Sequence, residues 1–265
     1  MSSDAPAAKK LKPTGTPLYS DLDLSKLTFD SKVQGSNEIQ HAGAKYDGVR
    51  LAFQLEDVTT GSIRTPFGID DGSKFGGKAS LKLDLPEAQR AFFQDKLENK
   101  VKDAAVQNKA TWFSAIKPLP DDATVRSSFN SRIYQDGNDN YPPSLKVNVN
   151  LADDKKQKVN VLTTRRTADG KITKPVPGSP ADVARSGSVV PVLRTAGGVW
   201  ISVNPKKKTF DYGLVFEATD LLVVEEPAAS SAFNLGGIEV VEGGETEEDG
   251  ATAFDGGFGA GFGQF

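Results

Sequence analysis

The sequence predicts a mostly β protein, a barrel or sandwich of short strands with one inserted helix and disordered ends. Three observations carry this. Residues 188–226 form the longest unbroken β pattern: Val199, Ile201 and Val203 alternate with Trp200 and Ser202, and Tyr212, Leu214 and Phe216 alternate with Gly213 and Val215. A period of two marks strands with one face on a core. Only one segment, residues 86–109, repeats its apolar residues at helical spacing. Strand patterns do not alternate with helical ones, which excludes a doubly wound sheet, and no repeat of ~20–50 residues marks a solenoid or propeller. A hydrophobic content of 37% with 26 Gly and 15 Pro favours loops and short strands around one core.

In chain order, residues 1–17 are small, polar and Pro-containing, and are expected to be a disordered arm. The first apolar residues are Leu18, Leu22, Leu24, Leu27 and Phe29. Val49, Leu51, Phe53 and Leu55 alternate with Arg50, Ala52, Gln54 and Glu56, a half-buried strand. Residues 59–62 read as a turn, 63–69 as a short extended piece broken by Pro66, and 70–78 as a Gly-rich loop; Leu81, Leu83 and Leu85 then alternate again. Asp84 with Glu87 three residues later makes a capping-box pattern, and Pro86 fits the first helical turn. Phe93, Leu97, Val101 and Ala104/Ala105 give the helix its apolar stripe, and Trp112 and Phe113 pin its end. Residues 118–122 read as a loop, 129–134 as a strand and 135–143 as a turn. Leu145, Val147, Val149 and Leu151 form a strand whose other face shows Lys146, Asn148 and Asn150. Residues 153–158 are a charged hairpin tip, 159–163 a returning strand, and 165–187 a long exposed loop, a feature usually functional or disordered. Lys206, Lys207 and Lys208 form a cationic turn within the last hairpin.

The net charge of −3 hides a split. Nine of the 35 acids follow Val224, leaving 26 acids against all 32 Lys and Arg in residues 1–224, a net of +6. A basic domain of this kind seeks a polyanion. The three expected parts are therefore a disordered arm (1–17), a binding domain (18–226) and an acidic, Gly/Phe-rich flexible tail (227–265). With no Cys and one His, disulfides, thiolate metal sites and Cys or Ser-His-Asp chemistry are excluded beyond what His41 alone supports. No run reaches the ~20 apolar residues of a membrane helix, and no signal-peptide core opens the chain. An intracellular protein without cofactor or membrane contact is expected. Lys9-Lys10-Leu11-Lys12 reads as a nuclear signal or, more simply, as a solvated charge run.

Residues 72–80 nearly spell a phosphate-binding loop, but Ala79 stands where a Ser or Thr is required and a strand pattern follows where a helix is needed. His41 lacks partners for a metal set, and the paired acids Asp70-Asp71, Asp121-Asp122 and Asp153-Asp154 read as solvated loop residues. The stronger signal is basic and aromatic together. Arg126, Arg132, Lys146, Lys155, Lys156, Lys158, Arg165, Arg166, Arg194, Lys206, Lys207 and Lys208 crowd the second half of the domain, with Tyr134, Tyr141, Trp200 and Phe210 among them. Cations neutralise phosphates and flat rings stack on bases, the combination that holds an unpaired strand. The competing reading places the rings in the core and leaves the lysines for solubility. In the tail, Glu245, Glu247, Glu248, Asp249 and the terminal Phe265 combine carboxylates with a ring. Such a segment mimics the ligand and competes for its groove; the bland alternatives are a solubilising appendage or a self-associating low-complexity segment.

Several stretches together resemble the single-stranded DNA-binding proteins of nucleocytoplasmic large DNA viruses, which are similar to the T-odd phage type. They are Thr65-Pro66-Phe67-Gly68-Ile69, Thr111-Trp112-Phe113 at the helix end, Tyr134 with the segment 141–147, and Gly198-Val199-Trp200-Ile201 leading to 210–214. The resemblance covers roughly residues 18–226 and lies in the order of weak motifs. It implies an OB-fold, a five-stranded barrel with extra strands and one inserted helix, binding single-stranded DNA in replication, recombination or repair. It also implies a tail that ends in Phe265, competes with DNA and contacts DNA polymerase, primase or helicase, a homodimer, and a place in the host nucleus or a cytoplasmic virus factory. The chain departs from the family in its last ten residues, which are Gly/Phe-rich where the family is acidic. A structural or virion β-barrel assembling through its Gly/Phe tail is the alternative, distinguished by an apolar outer face; an RNA-binding chaperone is a third reading.

Overall fold

The computed structural model describes residues 16–35, 39–73, 78–135, 142–152 and 158–227. Tyr141, Lys155, Lys156 and the tail residues Glu245, Glu247, Glu248, Asp249 and Phe265 lie outside them. In chain order the strands are β1 (Leu27–Phe29), β2 (Gln34–Gly35), β3 (Ile39–Ala42), β4 (Ala44–Tyr46), β5 (Val49–Arg50), β6 (Ala52–Gln54), β7 (Ile63–Thr65), β8 (Ile69–Asp70), β9 (Ser80–Asp84), β10 (Ile133–Tyr134), β11 (Ser144–Val149), β12 (Asn160–Arg165), β13 (Val176–Pro177), β14 (Gly187–Asn204) and β15 (Thr209–Glu225). The protein is mostly β, as the alternation requires.

The last hairpin is the spine. β14 and β15 are 18 and 17 residues long, about three times a usual strand. Strands of that length must bend to keep one face on a core. β14 bends at register shifts between Val192 and Leu193 and between Thr195 and Val199. At the second shift Gly197 and Gly198 take φ of 79° and 91°, and a Cβ on Gly198 would run into the Ala42 carbonyl. Each bent portion of β14 meets a different partner: β7 at Gly187–Val189, β6 at Val192–Arg194 and β3 at Val199–Ser202. β15 similarly takes β12 in parallel over Asp220–Glu225 and β11 in parallel at Glu217 and Ala218.

Beyond β11 the sheet continues antiparallel to β9 and then β8. The segment 129–134 fills the gap between β15 and β11. The Asn130 N–H donates to the Tyr212 carbonyl (2.7 Å), and the Lys146 N–H to the Arg132 carbonyl (3.0 Å). The sheet curls until β7 faces β9, where Arg64 and Asp84 form an ion pair of 3.6 Å across the seam. A small separate sheet, in the order β1-β4-β5, lies beside it.

The helix is one continuous run made of α1 (Glu87–Ala91), a π-helical turn at Phe92–Leu97 and α2 (Glu98–Gln107), followed by α3 (Lys109–Trp112). The wider π turn lets the adjacent Phe92 and Phe93 both face inward. Phe92 packs edge-on with Phe53, and Phe93 packs tilted against Phe53 and edge-on with Phe216. The expected capping box does not form: Pro86 is the cap residue with no side-chain bond, and Asp84 sits on β9 facing Arg64. Trp112 and Phe113 do pin the helix end. The Trp112 Nε1–H donates to the Asp30 carbonyl (3.1 Å), and Phe113 stacks on Phe210. A second helix, α4 (Asp122–Ser127), which the sequence reading did not assign, follows the 118–122 loop, capped by the Asp121 carboxylate accepting from the Thr124 N–H (2.7 Å). No helix among the described residues is long and apolar enough to cross a membrane.

Candidate nucleic-acid interface

The structure sorts the predicted cations into those already neutralised and those that are not. Arg126 pairs with Asp103 (2.5 Å), Arg165 with Glu225 (3.0 Å) and Arg166 with Glu226 (3.1 Å). Arg166 also donates to the Val58 carbonyl (3.0 Å), so it ties the end of β15 to the 58–61 turn. Arg194 pairs with Glu217 across β14 and β15 (2.8 Å) with both side chains largely covered, 15% and 21% exposed. These four arginines are held by carboxylates that neighbouring elements bring to them. Arg132 is half-buried with its Nε enclosed and lines a small cavity with Glu98, Phe129 and Leu145. Burial raises the Glu98 carboxyl, partly offset by the Ser131 hydroxyl and Lys102.

Phe210 is corrected from stacking candidate to core residue. It is 7% exposed, with its ring 4.3 Å from that of Phe113. Its parity on β15 explains this, because Phe210, Tyr212, Leu214 and Phe216 share the inward face. Tyr212 is fully covered, and burial pushes its phenol well above the ordinary range. Trp200 points to the outer face but is half-buried. It stands opposite His41 on β3 and Gly213 on β15. Its Nε1 lies 3.2 Å from where a Cβ on Gly213 would be, and is itself enclosed without a partner. The Lys206–Lys208 turn is exposed at the far tip of the hairpin. Lys158 is exposed at the entry to β12.

The remaining groups assemble on the outer face of β8, β9, β11 and β10. Leu81, Leu83, Leu145 and Val147 point inward, so Lys82, Asp84, Lys146 and Asn148 point outward; Ser144 shares their parity but is buried. Lys82 stands directly opposite Lys146, and Ser144 directly opposite both Asp84 and Tyr134. Among the described residues neither Lys82 nor Lys146 makes an ion pair; the nearby Asp84 is engaged by Arg64. Burial pushes the Asp84 carboxyl above the ordinary aspartate value, against the pull of Arg64. An exposed ring flanks the cations at each end: Phe67, 53% exposed, and Tyr134, 39% exposed. The Lys82 ammonium sits 5.3 Å from the Phe67 ring centre and the Arg185 guanidinium 5.9 Å.

Lys82 and Arg64 were not singled out from the sequence; Phe67 entered only as part of the Thr65–Ile69 motif, and Arg185 only as one of the cations of the second half. The available signal was Phe67 itself, an aromatic between Pro66 and Gly68, where neither a strand nor a helix gives it an inward face. The near-match to a phosphate loop ends where expected, since Ser80 opens strand β9 and no helix follows. Asp70 and Asp71 accept from the Gly72 and Ser73 N–H groups (3.0 and 2.9 Å), which makes them turn formers. No group of three metal-ligating side chains occurs among the described residues.

No family model and no curated protein matches the chain. Among solved structures it is similar to the single-stranded DNA-binding protein from bacteriophage Enc34, at 12% identity and a TM-score of 0.35, over 77% of this chain and 95% of that one. The same protein in complex with single-stranded DNA gives 12% and 0.36, over 73% and 94%. Gp2.5, a single-stranded DNA-binding protein encoded by bacteriophage T7, gives 14% and 0.35, over 76% and 100%. At that level the likeness carries no functional weight, and the chemistry of the face has to.

Proposed function

We propose that the chain is a non-enzymatic protein that binds single-stranded DNA, largely regardless of sequence, across the outer face of β8, β9, β11 and β10. The observation that carries this is Lys82 opposite Lys146, with no carboxylate paired to either among the described residues. Like charges directly opposite on neighbouring strands destabilise a sheet. Phosphates bound by the two lysines remove the repulsion and release their counterions. The flanking rings of Phe67 and Tyr134 accept unpaired bases, which a duplex keeps stacked inside. The alternative, a virion barrel, asks for an apolar outer face; the face of β9 and β11 carries two Lys, Asp and Asn.

On the same proposal, the curled sheet with its inserted helix is an elaborated OB-fold barrel, of the nucleocytoplasmic large DNA virus and T-odd phage type. The protein acts in replication, recombination or repair inside the cell, and dimerises. Its acidic tail, ending in Phe265, competes with DNA for the cationic face and reaches polymerase, primase or helicase. Support comes from the charge split, +6 before residue 225 against nine acids and no cation after it.

The test is a titration of the full chain and of a 1–227 truncation with a labelled oligo-dT and with a duplex of equal length. Preference for the single strand, and tighter binding by the truncation, are expected. Equal affinity for both DNAs contradicts the function; unchanged or weaker binding by the truncation contradicts the tail's role alone.

A further inference from the structure

Resting on that reading, we propose that Phe67 and Tyr134 are two base-stacking platforms that hold non-adjacent bases of one strand, with Lys82 and Lys146 gripping the phosphates between them. The strand thus crosses the sheet at right angles to β9 and β11.

A phenylalanine more than half open to water leaves about half its hydrophobic stabilisation unrealised. Here two cations also converge on the ring, Lys82 at 5.3 Å and Arg185 at 5.9 Å. Lys82 reaches it from β9, and Arg185 from the turn before β14. The backbone around Phe67 is fixed as well. Gly68 takes φ of 67° and packs so closely on the Val183 carbonyl that a Cβ there would come within 2.6 Å of it. The loop is therefore docked against the 183–185 segment, and the ring is presented rather than left loose. An exposed ring on a rigid mount, with cations over it, is preorganised for a base whose neighbouring phosphate meets the same cations.

The spacing gives the path. Lys82 faces Lys146, the Lys146 N–H bonds to the strand segment leading into β10, and Tyr134 stands opposite Ser144, which shares the parity of Lys146. From the β8 edge to β10 is three inter-strand steps, about 14 Å. Stacked neighbours in a nucleic-acid strand are separated by only ~3.4 Å. The two rings therefore cannot take consecutive stacked bases, and at least one nucleotide spans the cations between them.

The experiment measures affinity of the full chain for oligo-dT of two to eight nucleotides, with wild type, Phe67→Ala, Phe67→Leu, Tyr134→Ala and the Phe67→Ala/Tyr134→Ala double variant. Each alanine variant is expected to lose roughly 5- to 100-fold on the longest oligomer, the loss of one stacked base. Phe67→Leu should lose nearly as much, because it keeps apolar bulk but not the flat ring. With the dinucleotide, the double variant should lose little more than the worse single variant, because two residues cannot reach both rings. The salt slope should be unchanged in all ring variants, since every cation facing a phosphate is still present. Wild-type-like binding by Phe67→Ala or by Phe67→Leu overturns the stacking role while leaving single-strand binding intact. Equal additivity on the dinucleotide and the octamer overturns the non-adjacent path. A wild type that binds no single strand overturns this inference together with the function it rests on.

Discussion

At the scale of single residues, one glycine shows how closely the outer face is built. Gly213 lies opposite Trp200 on β14, and the Asn130 carbonyl passes 2.5 Å from the place a Cβ would occupy. That oxygen belongs to backbone held by the Asn130–Tyr212 hydrogen bond (2.7 Å), so it cannot swing away as a side-chain tip would. Gly213→Ala is expected to lower stability by about 1–3 kcal/mol, read as a lower denaturant midpoint. An unchanged midpoint would show that the 129–134 segment is not tied to β15. The same scale decides which aromatic residues were legible. Tyr212 was legible as a core ring from its alternation with Leu214 and Phe216, and Trp112 as the pin of the helix end. Phe210 was not, because the strand has to begin at Thr209 for it to share that inward face. The exposure of Tyr134 was legible because it sits among polar residues with no inward rhythm. Phe67 stood in the Thr65–Ile69 motif, but its exposure was not legible, because Gly68 beside it packs on the Val183 carbonyl more than a hundred residues away. Cations posed a similar problem: Arg165, Arg166 and Arg194 look free in a sequence, and their partners Glu225, Glu226 and Glu217 are fixed only by strand register.

At the scale of elements, alternation was the reliable guide. It marked β9, β11, β14 and β15, whose inward residues are the core, and helical spacing marked the run from Glu87 to Gln107. The π turn was not legible, since a regular period brings Phe93 inward but not its neighbour Phe92. The helix α4 was missed because a six-residue helix has room for only one inward residue, Val125. Its surviving signal is Asp121, which the sequence presents as half of a solvated acid pair. The Asp121 carboxyl lies below the ordinary aspartate value, first because the Thr124 N–H and then because its hydroxyl donates to it. A depressed carboxyl contributes stability that is present above its unfolded value and lost as pH falls through the folded one. Asp121→Asn is therefore expected to be less stable than wild type at neutral pH and to show a shallower acid limb in a stability–pH profile. A parallel profile, displaced but with the same acid slope, would contradict the cap's ionic role.

At the scale of the whole molecule, the protein divides its charge. Ion pairs between elements use up most of the arginines: Arg64 at the β7–β9 seam, Arg126 between helices, Arg165 and Arg166 at the end of β15, and Arg194 along the hairpin. On the outer face of β9 and β11 the surplus cation is lysine, and Lys82 and Lys146 stand opposite each other. The sequence announced a basic domain and an acidic tail but not which face the surplus charge occupies, because that follows from the pairing of β9 with β11. If Lys82 and Lys146 grip phosphates, binding should weaken as salt rises, with a slope that counts the phosphates neutralised. The direct measurement is that slope for wild type and for the Lys82→Ala/Lys146→Ala double variant on one oligo-dT. The double variant is expected to show a slope shallower by about 1.4, near 0.7 for each phosphate left without its lysine, in a folded protein as stable as wild type or slightly more so. A double variant with the wild-type slope and affinity would contradict phosphate binding on this face.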